Sequence, residues 1–140
     1  MPNLKPWPVL VGALVDLLGT LVVMLFYLSI VLGAQFSGGE ATEDVLTPMQ
    51  LAVGDGLGLL LSVVGGFVAG RLAKIDEVHH GAAAGFSSLV LSLLIGWGSP
   101  VGGALSWRDV LLPLAVVPAA ALGGYIAARL NARTTQHRTP

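Results

Sequence analysis

Four apolar runs, at residues 8–33, 49–72, 78–97 and 110–130, are each long enough to cross a bilayer and use most of the 140-residue chain. A helical span takes about 20 predominantly apolar residues, because the hydrocarbon core is about 30 Å thick. Water is absent there, so each run must pair its own backbone N–H and C=O groups, which a helix does. The expected fold is all-α: an integral membrane four-helix bundle forming one domain over residues 1–140.

Composition agrees. Charged residues make up 11% of the chain and the mean hydropathy is +0.81, against about 25% charged residues in soluble domains. A net charge of −1 leaves no basic patch to neutralise phosphates, which argues against a nucleic-acid partner. Without cysteine, disulfides, thiolate metal sites and thiol catalysis are excluded. The first run, apolar from Val9 to Leu32, exceeds the about 7–15 residues of a signal-peptide core and reads as a retained span.

Charge sets the expected topology. With four alternating spans, Lys5, Arg71, Lys74, Arg129, Arg133 and Arg138 fall on one side and only Arg108 on the other, while the first loop of that other side carries Glu40, Glu43 and Asp44. Lysine and arginine accumulate in cytoplasmic loops, so both termini are expected in the cytoplasm. Trp7 then marks the inner interface, and Trp97 and Trp107 the outer one. Thr47-Pro48-Met49-Gln50 carries a capping box with proline at the first helical position. Ser106 opens a looser version before the fourth span, in which Pro118 is expected to free the Leu114 carbonyl and bend the helix.

An internal repeat is visible. Gly65-Gly66-Phe67-Val68-Ala69-Gly70-Arg71-Leu72 closes the second span and Gly123-Gly124-Tyr125-Ile126-Ala127-Ala128-Arg129-Leu130 closes the fourth, with five of eight positions identical. Gly12-Ala13 and Gly81-Ala82 match more faintly. The expected units, 1–75 and 76–140, are two helical hairpins of parallel orientation related by an axis along the membrane normal.

Small residues repeat every fourth position in the second span, at Gly54, Gly58, Ser62, Gly66 and Gly70, and Gly123 and Ala127 continue a similar stripe in the fourth. Positions four apart share a helix face. Lipid tails are as apolar as leucine, so close van der Waals approach must hold such helices together, and small residues permit it. The stripe reads as a seam within the bundle, with a homo-oligomer interface or a lined pore as the alternatives.

Two carboxylates lie inside spans. Asp16 stands nine residues beyond Trp7, about 13 Å into the membrane, and Asp55 seven residues beyond Pro48, about 10 Å in from the opposite side. A central aspartate costs about 2.5–3.5 kcal/mol to insert, so such residues face protein or water and are candidates for proton or cation handling. Their depths leave several ångströms between them along the normal, so a shared site is not expected. Arg71 and Arg129 end their helices in matching Gly-Gly-x-x-Ala-x-Arg settings. They complement the helix dipole there and form a candidate lipid-headgroup or anion site. His79 and His80, adjacent and therefore on different helix faces, read as a solvated helix start rather than a metal site. No metal site and no cofactor motif is expected.

The Gly-Gly-x-x-Ala-x-Arg ending followed by His80-Gly81 resembles a class of small four-span prokaryotic membrane proteins without an assigned function. The resemblance implies the bundle fold and a prokaryotic cytoplasmic (inner) membrane address, and no activity. In size the chain is also similar to small multidrug transporters, which carry an acidic residue in the first span as Asp16 is here, and to small fluoride channels.

With few polar residues, tight seams and short loops, the sequence favours a non-catalytic membrane component. It would be an accessory or assembly subunit or a self-associating scaffold, partnered by the lipid bilayer and by other membrane subunits or itself. The alternative is a small proton-coupled transporter or ion channel using Asp16 and Asp55. No nucleophile–base arrangement points to an enzyme.

Overall fold

A computed structural model of the chain describes residues 4–37, 46–96 and 107–136. The expected positions Glu40, Glu43, Asp44, Trp97, Ser106 and Arg138 lie outside them. Four helices follow one another: α1 (Pro6–Ser37), α2 (Pro48–Ala73), α3 (Glu77–Gly96) and α4 (Trp107–Gln136). Three of them, over Pro6–Ala34, Pro48–Ala73 and Val110–Thr134, are long and apolar enough to cross a membrane. The fourth, α3, has 20 residues and enters through the polar sequence Glu77-Val78-His79-His80.

Both α1 and α4 run past the apolar runs that announce them, to 32 and 30 residues. Hydropathy marks only the lipid-covered part, whereas a helix continues until a breaker stops it. Proline does not stop α4, which passes unbroken through Pro113 and Pro118.

The start of α2 is built as its sequence predicts. Thr47 N–H donates to Gln50 Oε1 at 2.8 Å and Gln50 N–H donates to Thr47 Oγ1 at 3.3 Å, with Pro48 at the first turn. Its end is a tight turn. Lys74 adopts φ 58° and its N–H donates to the Gly70 carbonyl, and Asp76 follows at φ 46°. Left-handed backbone costs L-residues roughly 1–2 kcal/mol each, so this turn is held by what packs on it.

The helices alternate in direction. Gly12 meets Gly65 and Ala69, and Tyr27 donates its hydroxyl to the Gln50 carbonyl at 2.7 Å, so α1 and α2 are antiparallel. Gly81 meets Gly124 and Gly85 meets Val116, so α3 and α4 are antiparallel too. Gly70 against Ala127 and Gly123 against Phe67 make α2 and α4 parallel. Among the described residues, α2 and α3 each touch both α1 and α4, whereas α1 and α4 do not touch each other.

This arrangement is sorted by size rather than by polarity. Among the described residues the buried apolar side chains are mostly alanines, such as Ala13, Ala69, Ala84 and Ala120, with Val31 and Pro8 beside them. Large side chains such as Phe26, Ile30, Leu60 and Leu94 face outward. Lipid accepts the large groups at no cost, and small ones let backbones come together. Lys5, Arg71, Lys74, Arg129 and Arg133 gather at the end where α1 and α3 begin and α2 and α4 finish.

Candidate functional site

Glycine seals the half of the bundle nearest those basic residues. A Cβ on Gly12 would stand 2.7 Å from the Gly65 carbonyl oxygen, and one on Gly124 2.5 Å from that of Glu77. At Gly66 and Gly123 a Cβ would collide with the backbones of Ala120 and Val63. Beyond this layer the helices separate, and a cavity of about 650 Å³ opens among all four.

Its walls are aliphatic, from Leu17, Leu21 and Met24 of α1, Leu59 of α2, Leu89 of α3 and Val116 of α4. Its polar groups are Asp16, Thr20, Asp55, Ser62, Ser88 and Ser92. Among the described residues, no lysine, arginine or histidine lines it. An ionised carboxylate at membrane depth is expensive unless a proton, a cation or a set of donors accompanies it.

Asp16 forms the floor of this space. It is 5% exposed, and its Oδ1 accepts a hydrogen bond from the Ser62 hydroxyl at 3.1 Å. Thr20 and Ser88 also bring hydroxyls within reach of the carboxylate. Ser62 has a second acceptor, the Gly58 carbonyl one turn back, at 3.2 Å. A hydroxyl owns one proton, so it can serve one of these acceptors fully at a time. With Asp16 ionised, Ser62 donates to the carboxylate; with Asp16 protonated, the carboxyl donates to Ser62 and Ser62 donates to Gly58. Both states are satisfied by rotating one hydroxyl.

Asp55 is half-buried on α2 and lines the same cavity. Seven residues separate it from Ser62, so it sits about 10 Å along the helix from the floor. The depth difference seen in the sequence is real, yet both carboxylates belong to one space. Two helical turns apart, they are two stations along a cavity and do not share a proton.

The small residues of α2 divide into two groups. Gly66 and Gly70 press on α4, against Ala120 and Ala127, and Gly123 of α4 presses back on α2. Ser62 is a hydrogen-bonding group at the floor. Gly54 makes ordinary contact with Met24 and Tyr27, and a Cβ on Gly58 would meet nothing within 4 Å. Gly58 therefore lines the cavity, on the same stripe that is seam further down.

The two repeat arginines share an end of the bundle but have different partners. Arg71 donates through Nη1 to Asn131 Oδ1 at 2.6 Å, and Asn131 Nδ2 donates to Glu77 Oε1 at 3.1 Å, tying α2, α4 and α3 together. Arg129 folds back on its own helix, donating to the Tyr125 hydroxyl with its guanidinium 5.0 Å from the ring centre. The structure does not bring the two into a common site.

His80 corrects the reading of a solvated helix start. It is 0% exposed, while His79 beside it is exposed. The Lys5 backbone N–H donates to its Nε2 at 2.8 Å, and its Nδ1 lies 3.1 Å from the Asp76 carbonyl. An N–H facing Nε2 and a carbonyl facing Nδ1 place the ring proton on Nδ1. The imidazole thus joins the start of α1 to the α2–α3 turn, with Lys5 Nζ reaching the Ala73 carbonyl at 3.5 Å. Hydropathy carries no signal for this contact between positions 75 apart. Among the described residues no group of three or more metal-binding side chains occurs.

Comparison of the chain with protein families, with characterised proteins and with solved structures finds no match.

Proposed function

We propose that this protein is a small proton-coupled carrier of a prokaryotic cytoplasmic membrane, with both termini in the cytoplasm and Asp16 as its proton-accepting group. One observation carries the reading: the two membrane-depth aspartates line a single cavity that is closed toward the basic end by glycine packing. The positive-inside rule assigns that basic end to the cytoplasm. The cavity then lies on the outer side of the seal, as an outward-facing carrier requires.

The Asp16–Ser62–Gly58 chain supports the proton part of the cycle. It accommodates the carboxyl with and without its proton, with no backbone shift. Binding a cation favours the ionised form, and releasing the cation favours the protonated one, so the two compete for the same carboxylate. Opening the cavity inward requires the glycine seam to part while the outer half closes.

The accessory-subunit or scaffold reading draws on the small-residue stripes. Those stripes have partners within the chain: Gly12, Gly66, Gly70 and Gly123 each face another helix of the same bundle. The non-catalytic assignment is kept in the carrier reading.

The test is reconstitution into liposomes loaded with a pH-sensitive dye, with a membrane potential imposed. Wild-type protein is expected to move protons in a manner dependent on a co-substrate cation, and Asp16→Asn to abolish this while remaining folded. No flux above empty liposomes from folded protein, or equal flux from Asp16→Asn, removes the reading.

A further inference from the structure

A second titratable group is buried at the basic end of the bundle, with the glycine layer between it and the cavity. We infer that His80 is a proton-operated latch: its neutral ring ties the start of α1 to the α2–α3 turn, and its protonated ring lets that start go.

The neutral ring is fully used. Lys5 N–H donates to Nε2 at 2.8 Å, and Nδ1–H donates to the Asp76 carbonyl at 3.1 Å. A neutral imidazole has one donor and one acceptor, whereas the imidazolium has two donors. A proton on Nε2 would therefore set one N–H against another, and neither can accept from the other. The ring is 0% exposed, so a charged N–H left facing Lys5 would have no water to turn to, a costly state for a buried charge. Moving the Lys5 segment away admits water to both donors and satisfies them. The bond to Asp76 survives in either state, so the ring stays with α3 and α1 is the side that leaves.

Histidine is the side chain whose ordinary charge change falls between about pH 5 and 8. The closed contact accepts only the neutral ring, so it is present at the upper end of that window and lost as pH falls through it.

Charged neighbours do not take over the ring. From α1, Lys5 Nζ is turned to the Ala73 carbonyl. From α2 and α4, Arg71 is held by Asn131 and Arg129 by Tyr125, and Arg133 is exposed. On α3, Glu77 accepts from Asn131, while Lys74, Asp76 and His79 are exposed, where solvent screens their charges. Among the described residues, both partners of the ring are main-chain groups.

Release frees the segment that leads into the glycine layer. Gly12, two turns into α1, faces Gly65 and Ala69 of α2 and Ala84 of α3. The tie at Lys5 holds the near end of that contact. Asp16 opens into the cavity beyond the layer, so His80 and Asp16 exchange protons on opposite sides of it. The latch stands without the carrier reading.

The experiment is nuclear magnetic resonance of the full chain in lipid nanodiscs, following the His80 ring nitrogens and hydrogen exchange at the Lys5 amide, corrected for the intrinsic effect of pH on exchange. Between pH 7.5 and 5.5 the Lys5 amide is expected to exchange about tenfold faster, the opening that one proton taken up across the histidine window produces. The ring is expected to pass from the Nδ1–H form to the imidazolium over the same range. His80→Gln offers Lys5 N–H an acceptor oxygen and does not titrate, so its exchange should change by less than about twofold. Lys5→Pro covers the case in which His80→Gln does not fold: without the opposing N–H, exchange at Val9 and Leu10 should already be fast at pH 7.5 and rise no further. Asp16→Asn should keep the full response, which separates the latch from proton handling in the cavity. A wild-type amide that ignores pH, an equal response in His80→Gln or Lys5→Pro, an imidazolium whose Lys5 amide stays protected, or loss of the response in Asp16→Asn overturns the inference.

Discussion

The Ser62 hydroxyl lies 3.1 Å from Asp16 Oδ1 and joins α2 to α1 at the floor of the cavity. Ser62 is 2% exposed and Asp16 5%, so the pair sits where water competes little. Its worth is set by what the neighbouring acceptor, the Gly58 carbonyl, allows the hydroxyl to do when the carboxyl changes state.

Ser62→Ala removes that hydroxyl and leaves Asp16 with fewer donors. Thermal unfolding in detergent should show a loss of about 1 kcal/mol, the net value of one such bond. Proton flux should fall by roughly tenfold, corresponding to about 1.4 kcal/mol in the barrier. Asp16→Asn keeps an acceptor for Ser62 and should unfold within about 0.5 kcal/mol of wild type while transporting nothing. Equal flux in Ser62→Ala and wild type would show that the hydroxyl has no part in proton transfer.

Gly58 and Gly66 share one helix stripe and should respond oppositely to a side chain. At Gly66 a Cβ collides with the Ala120 backbone, so Gly66→Ala forces α2 and α4 apart. Overpacking of this kind costs about 1–3 kcal/mol or more. At Gly58 a Cβ meets nothing, and replacing a mid-helix glycine by alanine gains roughly 0.5–1 kcal/mol. Unfolding temperatures of Gly58→Ala and Gly66→Ala check both signs in one experiment.

The His80 contact distinguishes backbone from side chain at position 5. The donor to Nε2 is the Lys5 main-chain N–H, so Lys5→Ala should preserve the bond and Lys5→Pro remove it. His80→Ala leaves that N–H without its partner and empties a fully buried volume, costing about 1–3 kcal/mol. Hydrogen exchange should then rise in the first turn of α1 in His80→Ala and Lys5→Pro, and stay unchanged in Lys5→Ala.

Arg71 and Arg129 match in the repeat but not in their partners, and a double-mutant cycle measures the difference. Arg71→Ala with Asn131→Ala should show a coupling of up to about 1 kcal/mol, small because the contact is exposed. Arg129→Ala with Asn131→Ala should show none within about 0.3–0.5 kcal/mol. A measurable coupling in the second pair would revive a common site.

Much of this architecture is legible along the chain because each signal is local. Apolar length gives the helices, Thr47 and Gln50 give the start of α2, and the lysines and arginines mark one end. Asp16 and Asp55 stand out because a carboxyl amid leucines is costly wherever the helix turns. The sequence also assigns depth, since each residue of a helix advances it by about 1.5 Å.

Tertiary structure alone decided the rest. A stripe of glycines says that something can come close, not whether anything does. At Gly66 it is α4, and at Gly58 it is open space. That difference follows from α4 packing on α2 at Gly66 and not at Gly58, where the cavity opens that Asp16 and Asp55 both line. His80 became buried for the same reason: a bond between residues 75 apart exists only once α1 and α3 lie side by side. One-dimensional periodicity fixes which faces are small or apolar, and the choice of partner for each face belongs to the packing of the whole bundle.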